Sequence, residues 1–142
     1  MYTINERRLG IRKKGQALVE LALTLPLILL LVLGAMDFGR MFYHKIVLTN
    51  AAREGANYLS RNPDDQDDSY AVTYEVVKTE ANSSGVTLIN EEITISECCV
   101  VGNPVEVSVS KTVDLIFDSF LQALGLVDGP VELTSSARMM VQ

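Results

Sequence analysis

The sequence predicts an α+β protein. A long N-terminal helix, membrane-spanning in its first half, precedes a small domain with a second helix and a roughly three-stranded antiparallel sheet. Three observations carry this reading. Residues 21–36 form an uncharged apolar block, helical spacing of apolar residues continues to about residue 60, and two-residue alternation dominates beyond residue 86.

The apolar block sets the organisation. It holds sixteen residues, nine of them Leu or Ile. Extended to residues 16–38 it is long enough to cross a hydrocarbon core of about 30 Å. The rest of the 142-residue chain is an acidic, β-branched body of roughly 100 residues, large enough for its own core. One domain follows, not two.

Charge is segregated along the chain. Residues 1–15 carry Arg7, Arg8, Arg12, Lys13 and Lys14 against Glu6, a net of +4, and the remainder holds 7 basic and 17 acidic side chains, a net of −10. An acidic body lacks the clustered cations that nucleic acid requires. The basic cluster precedes the apolar block, whereas Arg40, Lys45 and Arg53 beyond it are spread over the fourteen positions 40–53. The positive-inside rule then places the N-terminus in the cytoplasm and the acidic body outside.

Three readings compete for the N-terminal segment. A cleaved secretory signal would want a shorter core and a small residue where Leu33 stands. A plain signal anchor accounts for the length. Neither accounts for Glu20 at the edge of the apolar run, where a carboxylate should have a partner. The residues Lys13-Lys14-Gly15-Gln16-Ala17-Leu18-Val19-Glu20 resemble the type IV prepilin layout, a basic leader ending in Gly with Glu as fifth residue of the mature chain. That resemblance implies cleavage between Gly15 and Gln16 by a prepilin peptidase. The new Gln16 amine on one subunit could be neutralised by Glu20 of a neighbour, offsetting the cost of burying either charge.

Beyond Asp37 the pattern turns amphipathic. Phe38, Met41, Phe42, Ile46, Thr49, Ala52, Ala56 and Leu59 recur at three- and four-residue steps, giving a face expected to lie under the domain. Asn62-Pro63-Asp64-Asp65 is a strong stop. A continuous helix over residues 16–60 would measure roughly 68 Å.

With Gly15 to Glu20, the Pro26-containing apolar run, Asp37-Phe38-Gly39-Arg40 and Thr49-Asn50-Ala51-Ala52-Arg53-Glu54-Gly55-Ala56, residues 12–60 resemble TadE-like proteins, pilin-like components of tight-adherence (Flp) pilus systems. Leu21 departs from the pattern, in which an aromatic residue often follows the glutamate. Ala51, Ala52, Gly55 and Ala56 make a small-residue face suited to close approach, either inside the domain or between subunits. Arg53 and Glu54 are adjacent and do not face each other.

In the C-terminal body, residues 62–68 read as a solvated acidic loop without the full calcium-loop spacing. Ser69 is the expected cap of a second helix over residues 70–82. Residues 86–101 and 105–115 read as a hairpin turning at Gly102-Asn103-Pro104, 117–124 as a short helix, Gly129-Pro130 as a turn, and 131–141 as a last strand. Cys98 and Cys99 read as two strand residues on opposite faces, with a cross-link to another subunit as the alternative. His44 reads as a surface helix residue, and no motif points to catalysis, to a metal or to a cofactor.

The expected organisation is thus a leader over 1–15, a helix over 16–60 and an extracytoplasmic domain over 61–142. The resemblance implies a non-enzymatic subunit of the bacterial inner membrane that can pass into an extracellular pilus. Its expected partners are the membrane, other pilin-like subunits, the peptidase and the pilus assembly machinery, with no nucleic acid and no small-molecule substrate. The competing class is a signal-anchored binding module that never polymerises.

Overall fold

A computed structural model describes residues 7–96, 99–116, 122, 125 and 130–142, with side chains from Gly15 onward. The first helix, α1, runs Arg7–Arg61 over 55 residues, about 82 Å at 1.5 Å per residue. It begins upstream of residue 16, so Gly15 lies within the helix rather than at its end. Leu, Ala, Met, Lys and Arg dominate it and favour helix without β-branched crowding. Pro26 sits inside it, where it has no N–H to offer the carbonyl of Ala22. The Thr24 hydroxyl donates to the Glu20 carbonyl one turn back, at 2.9 Å. The helix ends where Asn62 directs both its backbone N–H and its side-chain amide at the Tyr58 carbonyl, and Pro63 prevents continuation.

The two halves of α1 live in different surroundings. Every side chain from 15 to 32 is exposed, and the apolar stretch is long and apolar enough to cross a membrane by length and composition. From Val47 the helix becomes the spine of a core: Val47, Leu48, Ala51, Ala52, Ala56 and Leu59 are buried. The buried face matches the expected one at Ala52, Ala56 and Leu59 and departs from it nearer the apolar run. Phe38, Phe42 and Ile46 point away from the domain and are exposed. At 100° per residue the helix carries two apolar faces through this region, and the domain takes the one with smaller side chains.

A 3-10 turn at Pro63–Gln66 and the second helix, α2 at Ala71–Ser83, follow. The acidic segment is not a free loop, because Asp65 is buried. Ser69 does not cap α2. Ser69 and Tyr70 both take left-handed backbone conformations (φ 57° and 60°), which carries the start of α2 over Asp65. Its carboxylate accepts the amides of Val72 at 3.2 Å and Thr73 at 2.8 Å, and the Thr73 hydroxyl. A capping bond usually comes from the residue just outside the helix; here it comes from the preceding turn.

The sheet has three antiparallel strands in the order β1 (Ile93–Ile95), β2 (Pro104–Val113) and β3 (Val131–Met140). Val105, Val107, Val109 and Val113 face the core, and their even-numbered neighbours face outward. The first strand is far shorter than expected. Val86 and Leu88 are buried but unpaired, and a 3-10 turn at Asn90–Glu92 intervenes. Lys111 holds that region in place, donating to the Thr87 carbonyl at 2.8 Å and pairing with Glu92 at 2.9 Å. Pro104 opens β2, where a missing N–H costs least. Cys99 lies in the β1–β2 connection with φ 96° and is disulfide-bonded. It is therefore neither a strand residue nor a free thiol. Cys98, the short helix expected over 117–124 and the turn expected at Gly129 lie wholly or largely outside the described residues.

β3 is a long edge. Its odd residues exchange hydrogen bonds with β2, so the backbone groups of Glu132, Thr134, Ser136 and Arg138 point to the open side. Lys45 of α1 donates to the Thr134 carbonyl there. A lysine laid across an edge obstructs pairing with another chain.

Candidate assembly surface on the first helix

Gly15, Gln16 and Glu20 are all exposed on α1. Glu20 is one turn beyond Gln16, on the same face, and helical side chains lean toward the N-terminus. An amine at Gln16 would therefore lie on the same face of α1 as this carboxylate. A β-carbon placed on Gly15 would meet no atom within 4 Å. Packing in this chain does not require glycine there.

Gly55 is the opposite case. A β-carbon at that position would stand 2.4 Å from Val77 Cγ2 of α2 and 3.4 Å from Val107 Cγ1 of β2. The helix pair and the sheet converge on this glycine, with Ala51, Ala52 and Ala56 fully buried around it. The small-residue face serves packing within the domain, while Arg53 and Glu54 are exposed on the other side.

Where the apolar run ends, Asp37 is 5% exposed and accepts the Ile116 amide at 2.9 Å. Arg40 stands 3.9 Å from the same carboxylate, an ion pair one turn along α1. Asp37 thus fastens the chain after β2 to the foot of the domain. Sequence reasoning missed this role of Asp37. Its signal was a carboxylate closing the apolar run three residues before an arginine. Asp65, the buried cap of α2, was missed likewise, hidden among four aspartates at 64, 65, 67 and 68.

His44 lies above Asp37 on α1. Its Nδ1 is buried without a hydrogen-bond partner among the described residues, and its ring meets Tyr43 edge-on at 6.1 Å. Burial, then the charges of Arg40 and Lys111, hold its pKa below the ordinary 6.5. Among the described residues no carboxylate is hydrogen-bonded to Nδ1. Among the described residues no group of three His, Cys, Asp or Glu side chains could hold a metal ion.

The exposed stripe Phe38, Phe42 and Ile46 completes the surface. These residues are 67%, 61% and 45% exposed and continue the apolar wall of the N-terminal half at four-residue steps. The sequence model of the TadE-like family matches residues 15–57, a segment lying wholly within α1. No curated protein and no solved structure matches the chain.

Proposed function

We propose, from the TadE-like character of α1, that the protein is a pilin-like structural subunit of a tight-adherence pilus. It is inserted once in the inner membrane with the N-terminus inside and is cut after Gly15 by a prepilin peptidase. The exposed Phe38, Phe42 and Ile46 stripe carries this reading. Ile46 lies about 15 Å beyond the end of the apolar run, whereas the headgroup layer adds only about 5–7 Å on each side. Lipid therefore leaves the upper stripe in water, and an exposed apolar stripe of this kind calls for a protein partner. A second α1 helix, presenting the same stripe, fits it at helix-packing distance. Glu20 and the Gln16 amine set the register of that contact, and the head faces away from the cytoplasm.

The test is mass spectrometry of the N-terminus in membranes of a host with its own prepilin peptidase, joined to photo-crosslinking from position 42. A chain starting at Gln16, reverting to the uncut form without the peptidase and cross-linking to a pilin-like subunit, supports the proposal. An uncut chain with no cross-linked partner makes it a plain anchored module.

A further inference from the structure

A cavity of about 470 Å³ opens at the foot of the head, lined by Met36, Arg40, Tyr43, His44, Gly85 and Val86. Its height on α1 restricts what can fill it. Met36 closes the apolar run, Arg40 is about 6 Å higher and His44 about 12 Å higher along the helix axis. The lower half of the cavity therefore falls at the headgroup layer of a bilayer whose hydrocarbon ends near Met36.

Its chemistry divides the same way. Met36, Val86 and the Tyr43 ring supply an apolar wall, and the Tyr43 hydroxyl is fixed by donating to the Ser84 carbonyl at 2.7 Å. The Gly85 and Val86 amides are spent on the Asn82 and Ala81 carbonyls that close α2, so the backbone offers an anion nothing. Arg40 does. Its guanidinium is about half exposed and reaches Asp37 only at 3.9 Å, beyond hydrogen-bond range, which leaves a fork suited to phosphate. His44 contributes a buried Nδ1 that has no hydrogen-bond partner among the described residues.

We infer that this cavity holds the phosphate and glycerol portion of one phospholipid from the outer leaflet, with Arg40 on the phosphate and the Met36–Val86 wall against the first methylenes. The inference rests on the membrane-spanning reading of α1. The bound lipid would seat the head on the bilayer in a fixed rotation until the subunit leaves the membrane.

The experiment uses the full chain, extracted from membranes in mild detergent. Native mass spectrometry counts retained phospholipid for wild type, Arg40→Gln, Arg40→Lys and the remote control Arg61→Gln. Wild type and Arg61→Gln are expected to keep one phospholipid. Arg40→Gln is expected to bind about tenfold more weakly, the scale of one charge-assisted contact, with Arg40→Lys between. In wild type alone, a headgroup-spin-labelled phospholipid should broaden the His44 and Gly85 resonances more than that of Gln142. Equal lipid retention by Arg40→Gln and wild type, or uniform broadening, overturns the inference while leaving the membrane reading standing. Displacement of the lipid by millimolar inorganic phosphate would make it a small-anion site and overturn the lipid assignment. A chain absent from the membrane fraction overturns both.

Discussion

Val77 of α2 occupies the space that any side chain on Gly55 of α1 would need, with its Cγ2 2.4 Å from the position of that β-carbon. The two helices cross at a point where one has surrendered its side chain. Gly55→Ala gains helix propensity of up to about 1 kcal/mol but overpacks the crossing, and a net loss of about 1–3 kcal/mol is expected. Val77→Ala in the same chain should recover part of it. Denaturant unfolding of the four chains gives the coupling, and strictly additive losses would mean that the two residues do not meet.

Asp65 should behave as a helix cap despite its distance from the first turn. Asp65→Ala removes the acceptor for Val72, Thr73 and the Thr73 hydroxyl and is expected to cost about 1–2 kcal/mol. Amide exchange at Val72 and Thr73 should accelerate together. Asp64→Ala, exposed in the same turn, is the comparison, and equal effects from both would refute the assignment.

His44 should make the head sensitive to mild acid. Its pKa in the folded chain lies below the ordinary 6.5, so between the two values the unfolded chain binds more protons. The stability associated with His44 is complete above about pH 6.5 and declines as pH falls toward the folded value. Thermal midpoints measured from pH 7.5 down to about pH 5 should slope less in His44→Gln than in wild type. Parallel slopes would assign the acid response to other groups.

Gly15 and Glu20 separate folding from processing. Since a β-carbon at Gly15 meets nothing within 4 Å, Gly15→Ala should leave the fold intact and strengthen the helix by somewhat under about 1 kcal/mol. Accumulation of the uncut chain is nevertheless expected. Glu20→Leu should insert at least as well as wild type, with the intramembrane charge gone, yet fail to enter a pilus. Normal cleavage of the first, or normal assembly of the second, would remove the pilin layout from the account.

The regular parts of this fold were legible because each is governed by neighbours in sequence. The apolar run, the extent of α1 to the Asn62-Pro63 stop, and the alternation of β2 and β3 all follow from local periodicity. What escaped depends on groups far apart. Asp37 meets Ile116 across 79 positions, so nothing beside Asp37 declares it buried. Val86 and Leu88 alternate like strand residues, but the Lys111 side chain takes the Thr87 carbonyl, and the chain enters the sheet only at Ile93. On α1, Phe42 and Leu48 are equally apolar in sequence. Only the position of α2 and the sheet decides that Leu48 is buried and Phe42 is not. Gly15, Gln16 and Glu20 were singled out by their spacing and stand exposed on α1, while the outward Phe38–Ile46 stripe required the structure.

The unbroken course of α1 has a mechanical consequence. The segment from Met36 to Ser60 is one helix whose upper part is also the core of the head, with no hinge residue such as proline between them. Torque and tilt applied to the lower part therefore pass to the head as to the end of a rod. Over the roughly 36 Å from Met36 to Ser60, a tilt change of about 10° carries the top of the head about 6 Å sideways. Pro26 lies below that lever, so bending at the proline swings the whole head as a single arm.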